Sequence, residues 1–316
     1  MKIAITGAAG FIGSNLAQSL CKEHEVLALD NFDNTQRFEN GKKKYFGTFK
    51  NLLDYNGDLY CANLLDDEFY KVLDEFKPDV IYHLAAISDT TVYNEEIILK
   101  SNVNSFKKII NIANKYDAKL IYASSASVYG DAKSPQTVGK DERPKNPYAF
   151  SKLMMEKIAN LYCKNAVGLR YFNVYGKNES NKEQTSSMIL QFANQILDKN
   201  EARLFEGSEN IFRDFVYIKD VTKANIAALN AKGGVYNVGS FKARSFLDIV
   251  LILEKELLNL GLIKDEVKKI YIKNPYEKAY QFFTEAAANK DFNYEADYSL
   301  EEGIKDYLPY ILKERL

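Results

Sequence analysis

Along the first half of the chain, apolar residues gather in short, nearly unbroken runs. They are "KIAITG" (2–7), "EVLALD" (25–30), "DVIYHLAA" (79–86), "KLIYASS" (119–125) and "AVGLRYFNV" (166–174). Runs of this length, rich in branched and aromatic side chains, predict strands covered on both faces. Between them polar positions return with helical spacing, as in "SNLAQSLCKEH" (14–24) and "SNVNSFKKIINIANKY" (101–116). Strand and helix in alternation predict a parallel sheet joined by right-handed crossovers. The second half is mixed. "SSMILQFANQILDK" (186–199) and "RSFLDIVLILEKELLNL" (244–260) read as helices, "VYIKD" (216–220) and "GVYNVGS" (234–240) as strands. The expectation is an α/β protein with a doubly wound parallel sheet in residues 1–168 with 213–241. A smaller mixed α/β lobe, residues 169–212 with 242–316, would lie over the sheet's carboxyl edge.

Composition removes several functional classes. With a net charge of −1 the chain has no global basic field for nucleic acid, so any phosphate site has to be local. Cys21, Cys61 and Cys163 are far apart and lack metal-ligand spacing, and His24 and His83 are the only histidines. No metal site is expected, and the thiols read as reduced. The first residues run directly into a strand pattern, and no apolar stretch approaches the ~20 residues needed to cross a bilayer. A cytoplasmic protein without membrane attachment is expected.

The first strand leads into "TGAAGFIGSN" (6–15), with Gly7, Gly10 and Gly13 at three-residue intervals and a helix opening behind them. Glycines let the backbone turn tightly and approach a pyrophosphate, whose charge then faces the helix N-terminus. The second strand ends in Asp30, an acidic residue placed to accept hydrogen bonds from an adenosine ribose. This pattern predicts a Rossmann-type dinucleotide site. Asp30 favours a free ribose hydroxyl, as in NAD. Asn31 with Arg37, Lys42, Lys43 and Lys44 could instead clamp the extra phosphate of NADP, or these could be solvated loop charges. The sequence leaves NAD and NADP open.

Two Tyr-x-x-x-Lys spacings occur, Tyr148 with Lys152 and Tyr129 with Lys133. Their surroundings separate them. "NPYAFSKLMMEKIANLY" (146–162) starts a helix at Asn-Pro, which puts Tyr148 and Lys152 one turn apart on one face. Tyr129 is followed by Gly130 and Asp131, a turn signal. Free tyrosine titrates near ~10, so a tyrosine base needs the lysine and an oxidised nicotinamide to stabilise its phenolate. Ser125, at a strand's carboxyl end, can donate a hydrogen bond to the substrate oxygen. This is alcohol-to-ketone chemistry.

Together "TGAAGFIG", "HLAA", "SSASVYG", "YAFSK" and "RYFNVYG" resemble the extended short-chain dehydrogenase/reductase superfamily, nearly end to end. The resemblance implies Ser125, Tyr148 and Lys152 at the redox centre. At the cofactor it implies Gly7, Gly10, Phe11, Ile12, Gly13, Asp30, Asn31, Asn63, Leu64, Leu84, Ala85, Ala86, Ser88, Asn102, Val174 and Lys182, alongside Tyr148 and Lys152. It further implies one tightly bound NADP or NAD per subunit of a homo-oligomer. His83, in "YHLAA", reads as a structural histidine at a strand end.

Members commonly act on nucleotide-linked sugars, and three features narrow the reaction. Ser125-Ala126-Ser127 stands where the superfamily's dehydratases carry an acidic pair, which argues against elimination of water. "FEGSEN" (205–210), Lys182 in "NESNK" and "YQFFTEA" (280–286) resemble the ADP-glycero-manno-heptose 6-epimerase family of lipopolysaccharide core assembly. That resemblance implies an ADP-heptose substrate, with Lys182 as a second acid/base across from Tyr148. Ser88, Ser125, Asn173, Lys182, Gln184, Gln191, Phe205, Glu206, Gly207, Ser208, Arg213 and Tyr280 would contact the substrate. The chain departs from the pattern at Asn181, Glu183 and Gln191, and the 34–59 loop is longer and more basic than expected. The alternatives are a UDP-hexose 4-epimerase, which has no need of Lys182, and a non-catalytic NAD(P) sensor, which has no need of a tuned tyrosine.

Overall fold

The structure, a computed structural model, describes residues 1–33, 35–274 and 283–315. Its strands in chain order are β1 (Lys2–Thr6), β2 (Glu25–Asp30), β3 (Asp58–Cys61), β4 (Val80–His83), β5 (Lys119–Ser125) and β6 (Val167–Tyr171), then β7 (Asn173–Tyr175), β8 (Glu201–Phe205), β9 (Phe212–Tyr217), β10 (Gly234–Val238), β11 (Ala243–Ser245) and β12 (Lys268–Ile272). The helices are α1 (Phe11–Leu20), α2 (Asp67–Phe76), α3 (Glu95–Leu99), α4 (Ser105–Tyr116), α5 (Pro147–Tyr162), α6 (Met188–Lys199), α7 (Ile218–Ala227), α8 (Phe246–Asn259) and α9 (Leu300–Glu314).

Seven strands form one parallel sheet in the order β10-β6-β5-β4-β1-β2-β3. The chain leaves β1 in one direction through β2 and β3, then returns to β4 on the other side. That reversal opens a crevice at the carboxyl ends of β1 and β4, where ligands of doubly wound sheets bind. Successive β1 residues serve opposite faces. Ile3 and Ile5 pack with α1 and α7, while Ala4 packs with Phe106 and Ile109 of α4 and Met155 of α5. The near-continuous hydrophobicity of the strands follows from this double cover. Two small sheets, β11-β9-β7 and β12-β8, complete the fold with α6, α8 and α9. Among the described residues no helix is long and apolar enough to cross a membrane, and no group of metal-ligating side chains occurs.

Several boundaries differ from the sequence expectation. The 79–86 run is a strand only to His83, and Leu84 onward becomes a wall of the crevice. The 166–174 run splits at Phe172, whose N–H donates the last bond of the β6–β10 ladder to Val238 O, after which Asn173–Tyr175 pair with β9 of a different sheet. In "VYIKD" only Val216 and Tyr217 are strand. Ile218 and Val221 turn inward with helical spacing as α7. The edge strand β3 carries no buried run, so its apolar signal is weak. Sheet membership also departs from the expected division at residue 213, because β9 joins β7 and β11 whereas β10 returns to the main sheet.

Candidate active site

The turn after β1 is built for close approach. Gly7 has φ +70, and a Cβ there would sit 2.7 Å from Ala85 N. A Cβ on Gly13 would meet Gly7 O at 2.1 Å. Only glycine permits this packing. The first-turn N–H groups of α1 therefore face the crevice without intrahelical partners, an arrangement suited to an anion. Asp30 Oδ2 accepts from Ala9 N at 2.9 Å and Oδ1 from Phe32 N at 3.1 Å. Its burial raises its pKa, opposed by those backbone donors. Gly47 packs directly on the carboxylate, since a Cβ there would lie 2.3 Å from Oδ1. Asp30 thus shapes the turn as well as lining the crevice.

The crevice has a volume of about 350 Å³, within the range of small-molecule sites. Gly7, Gly10, Phe11, Ile12, Gly13, Asp30, Asn31, Asn63, Leu64, Leu84, Ala85, Ala86, Ser88, Tyr148, Lys152, Val174 and Lys182 all line it, as does Ser125. Asn102 does not. Its buried amide accepts from Ile87 N (2.9 Å) and donates to Ile87 O (3.0 Å) and Ser151 Oγ (3.0 Å), so it ties the 84–88 wall to α5. Arg37, Lys42, Lys43 and Lys44 do not line it either. Arg37 is exposed, as a solvated loop charge would be, and Lys42 and Lys43 are partly so. They pair with Glu183 and Asp89, because acidic partners from distant segments lie within reach.

At the redox end, Asn146 caps α5 by accepting from Ala149 N at 2.8 Å, and Pro147 takes the first helical position. This orients Tyr148 toward Ser125, with which it shares a side-chain hydrogen bond. Ser125 Oγ also accepts from Ser127 N (3.2 Å) and Ser127 Oγ (2.9 Å). Lys152 is only 1% exposed, donates to Ala123 O at 2.8 Å and lies 5.8 Å from the Tyr148 ring centroid. Burial pulls its pKa down to about 7, opposed by Glu156 one turn further along α5. In the protein alone, burial raises the Tyr148 pKa and the Ser125 hydrogen bond opposes it.

The other Tyr-x-x-x-Lys pair is structural. Tyr129 is buried, donates to Asn237 Oδ1 at 2.6 Å and stacks under the Arg170 guanidinium at 4.7 Å, whereas Lys133 is exposed. His83 is fully buried with Nδ1 2.9 Å from Thr6 Oγ1, and burial takes its pKa down to about 3. Its ring is neutral at physiological pH and does not line the crevice.

Lys182 sits on a kinked 3-10 segment, Ser180–Thr185, just before the kink at Glu183, with Nζ 5.4 Å from the Phe11 ring centroid. Burial lowers its pKa, and Glu179 raises it. Glu179 is itself fully buried, accepting from Gly176 N (3.1 Å), Ser187 N (2.6 Å) and Ser187 Oγ (2.8 Å). Lys182 and Tyr148 therefore share one cavity while belonging to different layers of the fold.

The expected substrate contacts are more scattered. Ser88, Ser125 and Lys182 line the crevice, but Asn173, Gln184, Gln191, Phe205, Glu206, Gly207, Ser208 and Arg213 do not. Gln191 Nε2 is turned onto its own helix start, donating to Ser186 O at 2.8 Å. Phe205 ends β8, Glu206 N donates to Ile272 O at 2.9 Å, and Gly207 has φ +74. Arg213 on β9 is buried, donates to Phe212 O and lies 5.8 Å from the Phe246 ring. Phe205 and Arg213 lie on strands of the small sheets and Gln191 on α6, all outside the cavity lining. Tyr280 lies outside the described residues. The sequence reading missed Tyr45, Phe46, Gly47, Thr90, Tyr171 and Phe172 in the wall. Tyr171 and Phe172 stood in plain view in "RYFNVYG", whereas Phe46 and Gly47 arrive by a loop whose path no periodicity reveals.

The glycine cradle, the open first-turn N–H groups and a buried carboxylate at the end of β2 suit a dinucleotide. Residues 3–239 match the family described as "NAD dependent epimerase/dehydratase family". The chain is 33% identical over 299 residues to an ADP-L-glycero-D-manno-heptose-6-epimerase of Brachyspira hyodysenteriae, covering 91% of this chain and 90% of the relative. It superposes on the crystal structure of the Helicobacter pylori ADP-L-glycero-D-manno-heptose-6-epimerase with TM-score 0.88 and 43% identity, over 98% of this chain and 96% of the other. A UDP-glucuronic acid 4-epimerase of Bacillus cereus, solved with UDP-glucuronic acid and NAD, superposes with TM-score 0.82 at 27% identity, over 99% of this chain and all of the other.

Proposed function

Because the chain belongs to the NAD dependent epimerase/dehydratase family, we propose that it interconverts ADP-D-glycero- and ADP-L-glycero-manno-heptose through a ketone at carbon 6. The observation that carries this reading is the presence of two proton-transfer groups, Tyr148 and Lys182, in the wall of one cavity behind a glycine cradle. A group on each side of carbon 6 is one way to take the hydroxyl proton at one face and return it at the other, whereas the rival 4-epimerase reading has no need of the second group.

Gly7, Gly10, Phe11, Ile12 and Gly13 would hold the pyrophosphate of NAD or NADP, with Asp30 and Asn31 near the adenosine ribose. When bound, the nicotinamide accepts a hydride from the alcohol carbon and returns it to the ketone. Ser125 donates a hydrogen bond to the substrate oxygen. Tyr148 takes or returns the hydroxyl proton at one face of carbon 6, and Lys182 does so at the other after the ketone turns. Lys152 holds the end of β5 through Ala123 O, and with it Ser125 beside Tyr148. In this reading Phe205, Glu206, Gly207, Ser208 and Arg213 belong to the ADP-sugar subsite and close on the cavity with substrate. The dinucleotide stays bound through turnover, one per subunit of a cytoplasmic homo-oligomer.

Incubation with ADP-glycero-manno-heptose and, separately, with UDP-hexoses, followed by proton NMR of the products, tests this assignment. Epimerisation of the heptose at carbon 6 is expected. A 4-epimer of a UDP-hexose with the heptose untouched would replace the assignment with the rival one.

A further inference from the structure

The longer, basic loop and the departures at Asn181 and Glu183 meet in space. Residues 35–47 lead into the crevice, with Tyr45, Phe46 and Gly47 forming part of its wall. At one contact Lys42 Nζ donates to Thr91 Oγ1 at 2.7 Å and lies 3.7 Å from the buried Asp89 carboxylate. At the other, Arg37 Nη1 is 3.3 Å from Glu183 Oε2 and Lys43 Nζ is 3.1 Å from Glu183 Oε1. Lys43 also donates to Asn181 Oδ1 at 3.0 Å, and Asn181 Nδ2 donates to Phe46 O at 2.7 Å. Asp89 adjoins Ser88 and Thr90, both in the wall, and Asn181 and Glu183 flank Lys182. The segment is thus tied to two separate stretches of the same cavity's wall.

The backbone adds a second, independent observation. Glu183 has φ +51 and ψ −124, a region that residues other than glycine occupy only when surrounding contacts hold them there. Those contacts are present. Glu183 O accepts from Ser186 N at 3.1 Å and Ser186 Oγ at 2.7 Å, while Lys182 N donates to Glu179 O at 3.0 Å and Lys182 O accepts from Thr185 Oγ1 at 2.7 Å.

We propose that residues 35–47 are a strap closed over the dinucleotide, and that Glu183 is the positioning residue that clasps the strap and fixes the turn carrying Lys182. Arg37 and Lys43 accordingly serve the clasp, so retention of the dinucleotide and placement of Lys182 depend on one carboxylate. This inference rests on the dinucleotide reading of the crevice. Each exposed pair is weak by itself, and two cations on one carboxylate, backed by hydrogen bonds on either side, add geometry to modest charge attraction.

The test uses full-length protein loaded with NADH or NADPH, with release followed by loss of nicotinamide fluorescence on dilution into excess oxidised dinucleotide. Glu183→Gln should release the dinucleotide about tenfold faster at low salt, with the difference shrinking at high salt as screening weakens the wild-type clasp. Glu183→Lys should release faster still. Adding Arg37→Glu and Lys43→Glu to Glu183→Lys should restore the wild-type rate to within about twofold. Equal release from wild type and Glu183→Gln at low salt, or a charge-swapped protein no slower than Glu183→Lys, overturns the clasp. Wild-type protein that holds neither dinucleotide overturns the underlying cofactor reading and the strap with it.

Discussion

The two groups proposed for proton transfer, Tyr148 and Lys182, are held by different kinds of structure. Tyr148 stands on a sixteen-residue helix with a side-chain cap, packed against the centre of the main sheet. Behind it runs a buried network, in which Ser124 Oγ donates to Glu156 at 2.5 Å and Arg170 grips Glu156 at 2.8 and 2.6 Å. Arg170 also pairs with Glu142 at 2.6 Å. Lys182 stands on one short kinked segment with a strained neighbour, held by half-exposed ion pairs to a loop. Tyr148 is thus set by the core, where geometry is hard to alter, and Lys182 by surface contacts that salt and small motions can reach. In the proposed mechanism the ketone must turn between two hydride-accepting orientations, which asks for one fixed and one adjustable wall.

The largest effect should come from the fixed side. Tyr148→Phe is expected to cut kcat by about 10³–10⁴-fold with the fold intact by circular dichroism. Retained activity would remove Tyr148 from the chemistry. Arg170→Met strips a buried carboxylate of its partner and should cost about 3–5 kcal/mol in urea unfolding. A loss below about 1 kcal/mol, typical of surface pairs, would erase the contrast between core and clasp. Lys182→Met should slow epimerisation by about 10²-fold while leaving stability unchanged within about 0.5 kcal/mol. Wild-type epimerisation in that variant would leave Tyr148 as the only base.

The smallest effect is a pH slope, and its sign follows from burial. Lys152 holds its proton less tightly when folded, with a value near 7 against an ordinary 10.5, so above about 7 the unfolded chain binds more protons. Stability of the apoprotein should therefore rise between about pH 7 and 9, and Lys152→Met should flatten that rise. His83, pushed down to about 3 from 6.5, gives stability that is lost as pH falls from about 6.5 toward 3. An alkaline slope that persists in Lys152→Met would place its origin elsewhere.

The same contrast explains what could be read from the chain alone. The glycine turn, Asp30 and the Tyr148–Lys152 pair depend on local rules: a strand end, a helix start, one helical turn. Each is written within a few consecutive residues, and the strands around them carry unbroken apolar runs. Partners far apart in sequence were illegible. Nothing near Glu183 announces Arg37 or Lys43, some 140 positions earlier. Nor does Asn102 disclose that its amide will be spent on Ile87 and Ser151 and will not face the ligand. The split at Phe172 escaped for the same reason, since the strand that pairs with Asn173–Tyr175, β9, lies some forty positions later. The substrate contacts around Phe205 and Arg213 came from family resemblance, and their position outside the cavity lining depends on how small sheets pack, which local patterning does not encode.

The most direct measurement of the central claim is epimerisation of ADP-glycero-manno-heptose in deuterium oxide, with the products examined by proton NMR and mass spectrometry. Proton exchange at oxygen with internal return of the carbon-bound hydrogen predicts a carbon 6 epimer carrying no deuterium on carbon. Deuterium at carbon 6 would mean deprotonation at carbon, and absence of the epimer would mean a different substrate; either result contradicts the account.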